Sequence, residues 1–314
     1  MRADAHSSMI LRPVPPFRLD FTVWALRRRA RNAIDRWDGT TYRRIVVLGS
    51  RPTELAVRQE GRSSTPRLIV TVTPPFQTKF DRTHLRRTIV RLLGLRVDLA
   101  HWYQTADRDQ HLRTLAHRFR GLKPPQFPTL FEALVNAIAC QQLSLVVGLE
   151  LLNRLAVACD GKRKTSDGKE LCAFPAPRDL ARLSPATYRA IGFSRQKARA
   201  LRTLALAVER GEVDLERLTS VDDTEASAQL RRLRGVGRWT AEYVLLRGLG
   251  RLQVFPGDDV GAQKSLARWL GRSSPLDYAG VQRATHPWQP YAGLVYFHLL
   301  LEGLSRSGDL KVRG

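Results

Sequence analysis

The chain is short of acid. Against 52 lysines and arginines it carries 29 aspartates and glutamates, a formal net charge of +23 over 314 residues. An arginine-biased proteome would make any enzyme look basic, so the imbalance alone does not define a function. It does point towards a polyanionic partner, because phosphate contacts supply much of the affinity for a nucleic acid. The excess is mostly arginine, whose planar fork of donors fits a phosphate. Cysteine is scarce too: Cys140, Cys159 and Cys172 are odd in number and match no paired metal-binding spacing. That speaks against a disulfide framework and suits a reducing compartment. No apolar run reaches the roughly 18 residues a membrane helix needs. Met1 leads into a polar stretch and then Pro13, Pro15 and Pro16, which does not resemble a secretory leader. The basic residues are spread along the chain instead of forming one amphipathic block, which argues against a membrane surface. The expectation is a cytoplasmic, nucleoid-associated protein without membrane contact.

Apolar material is ample, at 43% hydrophobic residues. At roughly 100–200 residues per domain, the length predicts two domains, or three. The first hundred residues read differently from the rest. Segments 17–24, 42–48, 52–58 and 67–73 show partial two-residue alternation and β-branched content, which predicts strands. Asp81 is placed to cap a helix through His84, Leu85, Ile89, Leu92 and Leu93. Beyond residue 100 the pattern is helical. Asp107 is read as a helix start, and further helices are predicted at 128–142, 144–158, 194–210, 223–232, 238–249, 260–270 and 289–304. The charged stretch 160–170 reads as an exposed loop. The expected fold is α+β: an N-terminal antiparallel sheet domain with a packed helix at 1–100, and a helical region at 101–314.

The segment Leu233-Arg234-Gly235-Val236-Gly237-Arg238-Trp239-Thr240-Ala241 carries the most information. One helical run ends near Leu233 and another begins near Arg238, with two glycines in the turn. The second helix opens with unpaired N–H donors suited to a phosphate, and a missing Cβ lets that phosphate approach. A plain helix hairpin with glycine at its turn accounts for the spacing equally well. Downstream, Val254-Phe255-Pro256-Gly257 leads into adjacent acids, Asp258 and Asp259, either of which could cap a helix.

Together these runs resemble the helix-hairpin-helix superfamily of DNA glycosylases, named for that hairpin plus a Gly/Pro-rich loop and an aspartate. Arg238, Trp239, Thr240, Ala241 and Tyr243 are similar to the bacterial 3-methyladenine (type II) subgroup. So are Gln141 with Ser144, the run His286-Pro287-Trp288-Gln289-Pro290-Tyr291, and Pro15-Pro16-Phe17 with the strands after it. The likeness covers nearly the whole chain.

The resemblance implies a mostly helical, two-lobed fold, with lobes at about 128–250 and at 101–127 plus 251–314, and the hairpin near 223–249. It implies a monofunctional glycosylase, acting as a monomer on duplex DNA, that flips alkylated purines out of the helix and hydrolyses the N-glycosidic bond. 3-Methyladenine is the expected base, with 7-methylguanine, ethenoadenine and hypoxanthine as further candidates. Of the two acids it selects Asp259 as catalytic and leaves Asp258 to shape or cap the helix start. A carboxylate suits this chemistry, because bond cleavage leaves positive charge on the sugar and the attacking water must be oriented or deprotonated. Trp239, Tyr243, Trp288 and Tyr291 are implied to line the base pocket, where aromatic faces hold a flipped and often cationic base. Core packing is the plain alternative for all four.

Gly235, Val236, Gly237, Arg238, Thr240, Gln141, Gln142 and Ser144 are implied to meet DNA, with Gln142 filling the gap the base leaves. Some relatives place leucine at the position of Gln142. Lyases of the superfamily carry a nucleophilic lysine where this chain has Trp239, so no Schiff base is expected. No cofactor and no iron–sulfur cluster are expected; backbone carbonyls near Arg231, Leu233 and Val236 are the candidate ligands for a structural monovalent cation. Two other readings stand beside this one: a glycosylase for another damaged base such as uracil, and a hairpin protein that only holds DNA.

Overall fold

The computed structural model describes residues 6–49 and 51–311; the first residues of the polar N-terminal stretch lie outside them. The N-terminal part is a five-stranded antiparallel sheet in the order β1-β5-β4-β3-β2. Its strands are β1 (Ser7–Leu11), β2 (Arg36–Trp37), β3 (Thr41–Leu48), β4 (Arg51–Glu60) and β5 (Arg67–Thr73). The alternation read in the sequence at 42–48, 52–58 and 67–73 follows from one buried face. Tyr42, Leu55, Val57, Leu68, Val70 and Val72 are inward, and they pack on Leu85, Ile89 and Leu92 of helix α2 (Lys79–Leu92). The cap of α2 is Thr78, not Asp81. Thr78 Oγ1 accepts from Asp81 N (3.0 Å) and Asp81 Oδ2 accepts from Thr78 N (3.1 Å), a reciprocal capping box.

Segment 17–24 is not a strand. From Leu19 on it lies in helix α1 (Leu19–Arg27), where every residue but Asp20 is buried. Hydrophobicity on all sides of a helix erases its 3.6-residue period, so chance alternation prevailed in the sequence pattern. α1 is also the joint of the molecule. Leu19, Val23 and Leu26 pack into the sheet core, while Phe21, Trp24 and Ala25 pack into the helices beyond.

Those helices are α3 (Ala100–Arg108), α4 (Gln110–Arg118), α5 (Leu130–Cys140) and α6 (Leu145–Asp160), followed by α7 (Pro177–Arg182), α8 (Pro185–Ile191) and α9 (Arg195–Glu209). α10 (Asp223–Arg232), α11 (Arg238–Arg247), α12 (Val260–Trp269), α13 (Tyr278–Thr285) and α14 (Ala292–Arg306) complete them. Asp107 does not start a helix; it lies inside α3. The cap is Asp109, which accepts from His111 N and Leu112 N. The exposed stretch 160–170 contains a minimal pair of strands, β6 (Arg163–Lys164) and β7 (Glu170–Leu171). Helices α3, α7, α8 and α13 have six to nine residues each. Two turns are too short for a clear hydrophobic period, which explains why they escape a sequence reading.

The architecture is mostly helical and two-lobed, with the sheet packed against it. One core gathers side chains from Phe127 to Leu245. A second gathers α1, α3 and α4 with residues from Leu246 to Leu310. At the seam, Arg44 of β3 bridges two buried carboxylates, Asp35 (2.8 Å) and Glu132 of α5 (2.6 and 2.7 Å). Removing one partner from such a buried network typically costs about 3–5 kcal/mol, so the triad ties the sheet firmly to the helices.

Candidate active site

Helices α10 and α11 form the hairpin. Gly235 has φ +80, and a Cβ there would lie 2.7 Å from Ala200 Cβ of α9. Both the left-handed backbone and the close approach require glycine at this position. Gly237 opens onto free space. Its carbonyl accepts the first bond of α11, from Ala241 N at 3.0 Å, and no side chain caps the helix. The N–H groups of Arg238, Trp239 and Thr240 therefore precede the helical ladder and face an open turn, a ready site for an anion.

Several residues expected to meet DNA have other partners. Thr240 is buried, and its Oγ1 accepts from Gln141 Nε2 at 2.7 Å. The same Gln141 nitrogen donates to Gly235 O at 2.7 Å. The side chains of Gln141 and Thr240 thus brace the hairpin against the end of α5, leaving Thr240 only its backbone for a phosphate. Ser144 Oγ caps α6 by accepting from Val147 N. Lys197, which the sequence reading passed over, donates to Ala139 O (2.9 Å) and Gln141 O (2.7 Å). Gln142 is exposed and sits in the left-handed region at φ 53, beside exposed Leu143, Val146 and Val147. Val236 is buried at the turn. Leu233 O accepts its N–H at 3.1 Å and keeps a second lone pair. Among the described residues no group of three or more His, Cys, Asp and Glu could hold a metal ion.

The Gly/Pro-rich loop is rigidly held. Gly257 N donates to Glu242 Oε2 of α11 (2.9 Å), Tyr278 OH donates to Glu242 Oε1 (2.8 Å), and Gln263 Nε2 donates to Gly257 O (2.8 Å). Burial raises the Glu242 carboxyl above its ordinary range. A Cβ on Gly257 would stand 2.7 Å from the Tyr278 ring, so this loop position also requires glycine.

The two acids divide their roles differently from the sequence expectation. Asp259, not Asp258, caps α12, with Oδ1 accepting from Ala262 N at 2.9 Å. Asp258 instead pairs with Arg238 through two bonds of 2.6 and 2.9 Å, and the guanidinium lies 3.7 Å above the Tyr278 ring. Arg238 therefore meets the loop through its side chain. Capping does not exhaust Asp259. Its half-buried Oδ2 accepts from Trp239 Nε1 (3.3 Å) and from Tyr296 OH (3.0 Å). Burial, reinforced by Asp259, holds the Tyr296 phenol well above its ordinary pKa, so it stays a donor. Tyr296 is the main residue the sequence reading missed: within the apolar run of α14 nothing marks it apart from a core aromatic.

The Tyr243 ring packs on that of Trp239 in a tilted contact at 5.4 Å and belongs to this cluster. Trp288 and Tyr291 do not. Trp288 is buried, donates to Asp109 Oδ2 (3.0 Å) and packs 5.4 Å from Trp269. Trp269 lies ten residues along α12 from Asp259, about 15 Å at 1.5 Å per residue. Tyr291 bonds His101 Nδ1 (2.9 Å) and packs 5.7 Å from Trp102. Both aromatics pack with the second core, the plain alternative for them; the aromatic donors to Asp259 are Trp239 and Tyr296, and Tyr243, itself buried, packs on Trp239.

Comparison with known proteins agrees with this geometry. Residues 135–290 match the family described as HhH-GPD superfamily base excision DNA repair protein. The chain is 30% identical over 223 residues to the DNA-3-methyladenine glycosylase of Bacillus subtilis, covering 70% of this chain and 73% of that one. It is 32% identical over 180 residues to DNA-3-methyladenine glycosylase 2 of Escherichia coli, covering 57% and 60%. In structure it is similar to the 3-methyladenine DNA-glycosylase of Archaeoglobus fulgidus, with a TM-score of 0.81, 25% identity and coverage of 96% and 100%. The hairpin, the loop and Asp259 fall inside the matched region, and the chain belongs to the HhH-GPD superfamily of base excision DNA repair proteins.

Proposed function

We propose that Asp259 is the catalytic carboxylate of a monofunctional glycosylase that releases alkylated purines from duplex DNA, with 3-methyladenine the foremost base. The observation that carries this reading is the double donation to Asp259 Oδ2 from Trp239 and Tyr296, which fixes a charged oxygen beyond what helix capping needs. The chemistry follows from the group. As the C1′–N bond breaks, positive charge develops on the sugar, and a preorganised carboxylate stabilises it without reorganising. The same oxygen accepts the proton of the attacking water. Trp239 and Tyr243 offer the flipped base aromatic faces in exchange for its lost stacking. The uncapped start of α11 holds the phosphate beside the lesion, and Gln142 enters the vacated stack. Relatives solved on DNA, the Schizosaccharomyces pombe glycosylase Mag1 on abasic DNA and a Clostridium acetobutylicum 8-oxoguanine glycosylase/lyase on double-stranded DNA among them, support duplex DNA as the partner. Trp239 stands where a Schiff-base lysine would be needed, so water is the nucleophile. The carbonyl of Leu233 and its neighbours Arg231 and Val236 remain the proposed ligands for a monovalent cation.

The test is a panel of duplexes bearing 3-methyladenine, 7-methylguanine, ethenoadenine, hypoxanthine or uracil. Alkylated purines should be released, leaving intact abasic sites, no protein-dependent nick and no borohydride-trapped adduct. Release of uracil alone would give the site to another lesion class, and binding without any release would make the chain a DNA-holding module.

A further inference from the structure

The link between α5 and α6 is fixed on both sides of a strained residue. Before it, Gln141 closes α5, its N–H donating to Ala137 O (3.1 Å), and its side-chain nitrogen reaches the hairpin at Gly235 O and Thr240 Oγ1. After it, Ser144 caps α6. Gln142 lies between them, exposed and at φ 53. A side chain bearing a Cβ disfavours that backbone, which persists only where its surroundings over-determine it. The group that does so is Lys197, half-buried in the first turn of α9. Its Nζ donates to Ala139 O (2.9 Å) and to Gln141 O (2.7 Å). The first bond satisfies a carbonyl left over at the end of α5, where a cation also suits the helix dipole. A helix cap needs no more. The second bond lies past the helix. Gln141 O and Gln142 N belong to one planar peptide unit, so holding that oxygen sets the plane from which the φ of Gln142 turns. On the same face of α9, Ala200 is the residue against which the hairpin turn closes at Gly235. α9 therefore touches the α5–α6 link and the phosphate-binding turn together, and sets their spacing.

We propose that Lys197 is a positioning residue for the DNA wedge: by holding Gln141 O it keeps Gln142 in the left-handed conformation that presents its side chain to the gap left by the flipped base. The inference rests on the glycosylase reading above, with Gln142 as its wedge. A wedge already set in place avoids the ordering cost that a mobile one meets on binding. Only DNA with an emptied stack position draws on it, since an intact duplex offers no gap to fill. Without the Lys197 bonds, the link relaxes towards backbone conformations that turn the side chain elsewhere, and the apparent affinity for such DNA falls with the fraction of molecules still in the competent conformation.

The test measures affinity for an abasic-site duplex and for the same duplex undamaged, in the wild type, Lys197→Met, Lys197→Arg, Gln142→Ala and the double variant Lys197→Met/Gln142→Ala. The ratio of the two affinities within one preparation cancels any loss of folded protein. Lys197→Met keeps the stem and removes the donor; it should lower the abasic-to-undamaged ratio about fivefold, less than the loss in Gln142→Ala because the side chain is displaced and not deleted. Lys197→Arg keeps a cationic donor for both carbonyls and should restore most of the ratio. In the Gln142→Ala background Lys197→Met should lower the ratio no further, because the side chain it positions is gone. A ratio unchanged in Lys197→Met, with equal weakening on both duplexes as a plain helix cap would give, overturns the proposal. So does an arginine variant no better than methionine, or a methionine loss that persists in full beside Gln142→Ala. If Gln142→Ala itself leaves the ratio unchanged, the wedge assignment and this proposal fall together, while release of alkylated purines by the wild type keeps the glycosylase reading. A wild type that releases no base contradicts both.

Discussion

Asp259 is engaged at both of its oxygens. Oδ1 closes the first turn of α12, and Oδ2 faces an indole N–H and a phenol O–H. Asp at a helix start was legible in the sequence, and the family resemblance selected the second acid over the first. The role of Asp258 was not legible, because its partner Arg238 lies twenty residues away, across the hairpin. Nor was Tyr296, since a hydroxyl inside an apolar helix announces nothing until the fold shows what it meets. Tyr296→Phe keeps the ring against Phe255 and removes only the donor. A hydrogen bond to a charged group contributes about 1.5–3 kcal/mol. Single-turnover base release should therefore fall about tenfold or more, while affinity for an abasic duplex stays near wild type and the melting temperature falls by only a few degrees. An unchanged rate would show that Trp239 alone holds the carboxylate, and equal losses in rate, binding and melting would assign Tyr296 to packing.

At the scale of elements, α6, α9, α10 and α12 bury one face and were readable from their period, while α5 and α11 are buried almost all round; all six lie within a few residues of expectation. α1 was misread because it is buried on every side, and the edge strand β1 was missed because Ser7 and Ser8 dilute its apolar pattern. The link between α5 and α6, exposed from Gln142 to Ser144, is the segment proposed to enter the DNA. Its Gln142 adopts a left-handed backbone that side chains other than glycine and asparagine rarely take, and such conformations gather at functional sites. Gln142→Ala keeps the same backbone burden, so any effect reads the side chain. Affinity for an abasic-site duplex should weaken about tenfold, or ~1.4 kcal/mol, with little change on undamaged duplex, because only the flipped state presents a gap to fill. Equal losses on both duplexes would make the loop a general contact. If Gln142→Ala is silent and Leu143→Ala shows the difference, the neighbouring exposed leucine is the wedge.

Across the whole molecule, the proposed catalytic carboxylate sits on a seam. Trp239 packs on one lobe core and Tyr296 on the other, and both donate to the same oxygen of Asp259. Arg28 reaches that seam from the sheet side through α1, touching Asn136 of α5 and Tyr243 of α11. The hairpin and loop could be read from local runs of residues. The convergence could not, because each partner comes from a distant stretch of chain and no periodicity records a meeting between lobes. The account therefore turns on whether the carboxylate at the seam does chemistry or only caps a helix. Asp259→Asn decides it. Asparagine still accepts from Ala262 N and caps well, but it carries no charge to offset the developing sugar cation. The measurement is single-turnover release of an alkylated purine by Asp259→Asn, with Asp258→Asn as control and with melting and abasic-duplex binding for each. The account predicts a loss of about 100–1,000-fold, roughly 2.7–4 kcal/mol, in Asp259→Asn with binding retained, and far less in Asp258→Asn; near-wild-type release by Asp259→Asn, or inactivity confined to Asp258→Asn, would contradict it.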